Sequence, residues 1–317
     1  MTKPKILVVG SSNTDMIIKL ARIPRPGETL LGGEFAIAAG GKGANQAVAA
    51  ARAGGAVTLV ARVGRDMFGD ETIPRLGREG IAVGNISRDT SAPSGVALIF
   101  VARSGENSIA VASGANGRLS AADVRRARRE FAGAAALVMQ LETPLPALNE
   151  AARMAVTNDV PIILNPAPAR ALPVSLLRKV TVITPNETEA ECLTGVKVTG
   201  WSRAAEAARV LQSRGVKTVI ITLGAKGAFV AEGDRTYRVP SFPVKAIDTT
   251  AAGDVFTGAL AVKIGEGQPL AVAVRFACAA AALSVTRAGA QPSIPHRREI
   301  DRLLAKKNSR TAPRLRR

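Results

Sequence analysis

Residues 241–260 read SFPVKAIDTTAAGDVFTGAL, and the stretch from Asp248 to Asp254 within them decides how the rest of the chain is read. Two aspartates bracket a turn of small residues that opens into an apolar helix carrying Val255, Phe256, Ala259 and Leu260. A strand that ends in such a turn presents unpaired backbone N–H groups at the positive end of the helix dipole. That end is an anion site, and phosphate is the usual anion. Asp254 places a carboxylate beside the position a phosphate would take. An ordinary capped helix needs neither the adjacent Gly253 nor the upstream Asp248.

The segments around this turn alternate between helix and strand. From residue 120 on, the strands are expected at Ala135–Leu141, Val160–Leu164, Val180–Thr184 and Val216–Leu223. They are near-continuous apolar runs, as parallel strands covered on both faces require. Helices are expected near 120–130, 145–157, 187–194, 202–213, 254–265 and 268–286. Earlier in the chain, Lys5–Gly10 and Ala56–Ala61 read as strands, 43–53 as an Ala-rich helix, and Asp66–Glu79 as a helix ended by Gly80. The fold class is therefore α/β, a doubly wound, mostly parallel sheet. Two β-rich insertions interrupt it, at about 14–38 and 90–112. The second contains a hairpin signal, Arg103-Ser104-Gly105-Glu106 between 94–101 and 107–112. Both fall where a small β-rich lid could cover the sheet's C-terminal edge. One such domain over 1–317, with a basic tail at 306–317, accounts for the length.

Composition excludes several classes. The chain has 47% hydrophobic residues but only 3% aromatic ones, so its core is built from Ala, Val, Leu and Ile. Cys192 and Cys278 show no CxxC spacing, which fits a reducing cytosol and neither a disulfide framework nor a zinc site. The apolar run after the N-terminus breaks at Gly10-Ser11-Ser12-Asn13, too short for a signal peptide, and no run approaches the ~18–20 residues of a membrane span. A soluble cytoplasmic protein is expected. The net charge of +18 is the one anomaly, with Arg125, Arg126, Arg128 and Arg129 on one helix and arginines in the tail. Without interleaved aromatics or a recognition motif, a solvated basic surface explains it better than a nucleic-acid partner.

Several clusters carry chemistry beside the plain structural role each could have. Gly40-Gly41-Lys42-Gly43-Ala44-Asn45-Gln46 is glycine-rich and opens a helix. It lacks the P-loop spacing, and no strand precedes it in a βαβ unit. Lys42 and Asn45 could aim donors at a polyhydroxylated ligand, or the segment could be a plain flexible loop. Asn13 and Asp15, at the end of the first strand, suit sugar hydroxyls or simply cap a turn. Glu142 follows a strand at the sheet edge where open α/β sheets bind ligands. Asn186 caps the helix after residue 184; with Glu189 it could also hold a hydrated Mg²⁺ on nucleotide phosphates. Thr222, Gly224, Lys226 and Gly227 end another strand and suit close approach of a nucleotide, or form an ordinary turn. The lone His296 reads as a surface helix start. Its solitude leaves a carboxylate as the general base.

Together these pieces resemble the ribokinase-type (PfkB) family of carbohydrate kinases. The matching segments are Gly10 to Asp15, Pro26 to Thr29, Gly40 to Ala47, Gln140 to Glu142, Asn165 to Ala169, Thr184 to Glu189, Thr222 to Gly227, Asp248 to Asp254 and Thr286 to Ser293. They keep their order over nearly the whole chain. The resemblance implies ATP-dependent phosphorylation of the 5-hydroxyl of D-ribose, with Asp254 as base and the N–H groups of Ala251, Ala252, Gly253 and Asp254 as anion hole. It implies that Asn13, Asp15, Gly41, Lys42, Asn45 and Glu142 hold the sugar, and that Asn186, Thr222 to Gly227 and the region of Cys278 border ATP. It also implies a potassium site around Asp248, Thr250, Ser284, Arg287, Gly289 and Ser293. Cys278 departs from the family, where a polar ring or amide often lies near the adenine. Exposed lid strands such as 94–101 favour pairing with a second subunit, so a homodimer is expected. Phosphorylation of another sugar or a nucleoside, sugar binding without catalysis, and nucleic-acid binding are the alternatives.

Overall fold

The computed structural model describes residues 2–311. Among the described residues, thirteen strands fall into two sheets. The strands are β1 (Lys5–Val9), β2 (Asn13–Leu20), β3 (Glu34–Gly40), β4 (Ala56–Gly64), β5 (Ile86–Asp89), β6 (Gly95–Ala102) and β7 (Asn107–Ala112). They continue with β8 (Ala136–Met139), β9 (Ile162–Leu164), β10 (Val182–Ile183), β11 (Thr218–Thr222), β12 (Ala228–Glu232) and β13 (Arg235–Val239). The large sheet has the order β13-β12-β11-β10-β9-β8-β1-β4-β5 and is parallel from β11 to β5. The small sheet, β3-β2-β6-β7, is the lid.

The helices are α1 (Lys42–Arg52), α2 (Met67–Arg78), α3 (Ala121–Arg126), α4 (Arg128–Phe131), α5 (Leu145–Thr157) and α6 (Val174–Leu177). They continue with α7 (Glu187–Thr194), α8 (Trp201–Ser213), α9 (Ala252–Gly265), α10 (Leu270–Ser284) and α11 (Arg297–Thr311). They cover both faces of the large sheet. Period-two alternation along β1 sends Ile6 and Val8 into one core with α1, α9 and α10, and Leu7 and Val9 into the other with α5 and α8. Helix α9 is buried from Asp254 through Val262, which explains its apolar composition all round. Gly258 makes this burial possible: a Cβ there would lie 2.5 Å from the Gln46 carbonyl oxygen of α1.

Several expectations are corrected. Asn13 and Asp15 are not at the end of the first strand, because β1 stops at Val9 and both residues open lid strand β2. The helix expected over 120–130 is two short helices, so its four arginines do not share one continuous face. Arg126 pairs with Asp123, and Arg125 lies 3.6 Å from Glu150, so part of the basic charge is locally balanced. The helix–strand alternation also ends at β11: an antiparallel hairpin, β12–β13, turns at Gly233 with φ 56°. Of the basic tail, residues 306–311 continue α11 and 312–317 lie outside the described residues. Among the described residues no helix is long and apolar enough to cross a membrane.

Candidate active site

The chain packs closely on itself where α1 begins. Gly41 has φ 87°, and a Cβ on it would lie 2.6 Å from the Asn13 backbone nitrogen. A Cβ on Gly43 would lie 2.4 Å from the nitrogen of Ser11. The glycines are thus required for close packing of α1 on the β1–β2 connection. A lid strand, β3, runs directly into this turn, but it pairs antiparallel with β2 and forms no βαβ unit. Glu142 locks the corner: its Oε2 accepts from the Lys42 N–H at 2.9 Å and from the Ser11 hydroxyl.

Beneath the lid lies a cavity of about 550 Å³. Asn13, Asp15, Gly41, Lys42, Asn45, Glu142 and Asp254 all line it, so the whole expected sugar set converges. Ala97, Ile99, Ile109 and Val111 of β6 and β7 form its apolar roof. A second cavity, of about 200 Å³, is lined by Asn186, Glu189, Thr222, Thr249 and the turn from Ala251 through Asp254. Lys42, Ala251 and Asp254 line both cavities, which therefore meet at the start of α9.

Ala251 takes a left-handed conformation, φ 61° and ψ 10°, that turns the chain into α9. The Ala252 N–H donates to the Thr249 carbonyl at 3.2 Å, which removes it from the expected anion hole in this conformation. The N–H groups of Gly253 and Asp254 remain at the open helix end. A Cβ on Gly253 would have no heavy atom within 4 Å, so the glycine borders free space.

Electrostatics single out the same corner. Burial pushes the Asp254 carboxyl up, while Lys42 and hydrogen bonds from Asn45 and Gln46 oppose that rise. Burial, with Glu142 and Asp254 nearby, raises Asp15 to about 6. The Lys42 ammonium is raised chiefly by Asp254, so it stays charged. Buried, perturbed groups at the junction of two cavities are a functional signature.

The nucleotide-side residues divide. Asn186 and Glu189 form a reciprocal capping box: the Glu189 N–H donates to Asn186 Oδ1 at 2.8 Å, and Asn186 N–H to Glu189 Oε2 at 2.9 Å. Both still face the smaller cavity, and burial raises the Glu189 carboxyl. Gly224 and Lys226 lie exposed in a short 3₁₀ turn closed by Gly227, and Lys226 Nζ reaches the Thr199 carbonyl at 3.5 Å. Cys278 is buried on α10 and lines neither cavity. Burial pushes its thiol up to about 12.

The residues expected around potassium also form a joined structure. Asp248 accepts from the Thr250 N–H at 2.9 Å and the Gly289 N–H at 2.7 Å, tying the α9 turn to the segment after α10. Burial pushes the Asp248 carboxyl up, but these hydrogen bonds outweigh it and hold it below its ordinary value. The hydroxyls of Ser284 and Ser293 are turned onto the carbonyls of Ala281 and Ala290, and the Arg287 guanidinium pairs with Glu299.

Sequence reading missed a layer of buried amides behind the site. Asn116 Nδ2 donates to Asn13 Oδ1 at 2.7 Å, which turns the Asn13 NH₂ group away from Asn116. Gln46 and Asn45 donate to the two oxygens of Asp254 at 2.9 and 3.0 Å. Thr143 and Arg170 also line the larger cavity. Gln46 stood in the quoted glycine-rich segment; nothing in the sequence pattern separated Asn116 from a loop residue.

Comparison with known proteins agrees with this geometry. Residues 3–297 match the model of the pfkB family of carbohydrate kinases. A ribokinase of Haemophilus influenzae is 48% identical over 294 residues, covering 93% of this chain and 96% of the relative. A deoxyribokinase of Salmonella typhi is 39% identical over 301 residues, covering 95% and 98%. The structure of Arabidopsis thaliana ribokinase complexed with ribose and ATP superposes with a TM-score of 0.88 at 33% identity, covering 96% of this chain and 99% of that one. The chain belongs to the pfkB family of carbohydrate kinases.

Proposed function

We propose that this protein is an ATP-dependent ribokinase, which transfers the γ-phosphoryl group of ATP to the 5-hydroxyl of D-ribose. The observation that carries the reading is the meeting of the cavity beneath the lid and the cavity at the helix N-terminus at Lys42, Ala251 and Asp254. Asp254 takes the hydroxyl proton as the oxygen attacks. Its burial raises its basicity, which suits a general base. Lys42 and the N–H groups of Gly253 and Asp254 stabilise charge on the moving phosphoryl group without reorganisation. Asn13, Asp15, Gly41, Asn45 and Glu142 orient the sugar, and the apolar roof of the lid excludes water that would otherwise hydrolyse ATP.

The nucleotide side is assigned to Asn186, Thr222, Gly224 and Gly227, with Lys226 at its rim. Asn186 and Glu189 offer oxygen donors alone, which fits a Mg²⁺ held through water molecules. When bound, Mg²⁺ neutralises phosphate charge. Potassium fits the oxygen-rich join of Asp248, Thr250, Ser284, Gly289 and Ser293 together with the Arg287 carbonyl. A cation there supplies rigidity to the turn before α9.

The lid also supports a homodimer. Register places Met16 beside Ile37 and Leu98, and Ile18 beside Phe35 and Phe100, on the face turned away from the cavity. Phe35 is 62% and Ile37 54% exposed, an apolar patch that suits a second copy of the chain. We assign the protein to the cytoplasm, with the sugar and ATP as its partners and no membrane or nucleic acid.

Coupled ADP release with D-ribose, 2-deoxyribose, fructose and adenosine, each with Mg-ATP and with or without K⁺, tests the reading. Ribose turnover stimulated by K⁺ is expected. Turnover on 2-deoxyribose alone would reassign the substrate in the direction of the Salmonella typhi relative. Absence of turnover on every acceptor would favour a sugar-binding protein.

A further inference from the structure

Two glutamines behind the site line neither cavity, yet both are joined to Asp254. Gln46 is 0% and Gln140 1% exposed. Gln140 Nε2 donates to Gln46 Oε1 at 2.7 Å. Gln46 Nε2 donates in turn to Asp254 Oδ1 at 2.9 Å and to Asn165 Oδ1 at 3.1 Å. Asn165 Nδ2 then donates to the Thr184 carbonyl at 3.1 Å. The direction of the series follows from one constraint: an ionised carboxylate only accepts hydrogen bonds. Gln46 must therefore offer Asp254 its NH₂ group, which turns its oxygen toward Gln140, and Gln140 must offer its own NH₂ group.

That arrangement leaves the Gln140 Oε1 atom buried without a hydrogen-bond partner. An unpaired buried acceptor is destabilising, and a pair of apolar side chains of the same shape would avoid it. Local packing is fitted to it all the same, since a Cβ on Gly10 would lie 2.0 Å from that oxygen. The unsatisfied atom sits at the end of the series farthest from Asp254, while both oxygens of Asp254 are paired.

We propose that Gln140 and Gln46 form an amide relay that positions the Asp254 carboxylate for proton acceptance and holds it ionised until the sugar binds. Gln46 and Gln140 are positioning residues, since neither lines the sugar or the nucleotide cavity. The inference rests on Asp254 being the base. The relay opposes burial and the negative charges that face Asp254, namely Asp15 on β2, Glu142 after β8 and Glu189 on α7; Lys42 on α1 acts in the same sense as the relay.

The test uses Gln46→Met and Gln140→Met, which keep side-chain volume and remove the amide, with thermal melting to establish that each is folded. The relay predicts that kcat at neutral pH falls about tenfold or more in Gln46→Met while KM for ribose and ATP stays within about threefold. It also predicts that the acidic limb of the kcat profile moves upward by about half a unit or more. Gln140→Met, one bond farther away, moves both quantities in the same direction by less, and it decides the matter if Gln46→Met does not fold. A folded variant whose acidic limb stays in place, or whose change is confined to KM, overturns the relay. Asp254→Asn, assayed in parallel, separates the two failures. Wild-type turnover there removes the base and the relay together; lost turnover there with unmoved limbs in both glutamine variants removes the relay alone.

Discussion

At Asp254 two requirements oppose each other: the carboxylate must be dry enough to be basic and paired enough to stay ionised. Burial meets the first, and Lys42, Asn45 and Gln46 meet the second. Asp254→Asn is therefore expected to lower kcat by about 10²–10⁴ while leaving KM for ribose nearly unchanged, read by steady-state kinetics. Gly253→Ala tests the anion hole separately. Its methyl meets open space in the free protein, so the melting temperature should hold while kcat falls, because the methyl occupies the phosphate's place. Asp15 carries a pH signature. Its carboxyl is raised from 3.8 to about 6, so the folded protein binds that proton more tightly than the unfolded chain does. Its contribution to stability therefore grows as pH falls from about 6 toward 4 and is unfavourable above 6. Asp15→Asn should stabilise the protein at pH 7.5 by ~2–3 kcal/mol in denaturant melts while raising KM for ribose. Asp254 and Asp15 stood out in the sequence as residue types in a pattern. The amides that orient them did not, because a buried amide and a surface amide look alike in a sequence and only packing separates them.

Among the elements, α9 and the lid do the positioning. The apolar run after Asp254 was readable as a buried helix, and the position of the turn before it followed. The hairpin β12–β13 was not among the expected strands, although Glu232-Gly233-Asp234 carries a turn signal. Asn13 and Asp15 were attached to the end of the first strand, whereas β1 stops at Val9 before Gly10-Ser11-Ser12. The chain bends there and enters the lid, so both residues stand on the lid sheet. The α1–α9 contact gives a test at this scale. Gly258→Ala would force a methyl to within 2.5 Å of the Gln46 carbonyl and 2.7 Å of the Ala49 Cβ. Overpacking of this kind destabilises by about 1–3 kcal/mol, and calorimetry should show a lower melting temperature. Because Gln46 holds Asp254, a loss of kcat should accompany it.

Across the whole molecule, the small sheet roofs the larger cavity while the smaller cavity lies at the start of α9. The lid's apolar outer face predicts that Leu98→Asp, on a residue 48% exposed, converts a dimer to a monomer in light scattering. A wild type that is already monomeric would remove the dimer from the account. Arginines such as Arg52, Arg62 and Arg297 are engaged with Glu79, Asp89 and Glu266, so these three add no free basic surface. The most direct measurement of the central claim follows the product by ³¹P NMR after mixing ATP, Mg²⁺ and D-ribose with the wild type and with Asp254→Asn. The account predicts a phosphomonoester on the ribose 5-oxygen from the wild type, and none on the same timescale from an Asp254→Asn variant that still binds ribose. Phosphate on another ribose oxygen, or equal product from both proteins, would contradict it.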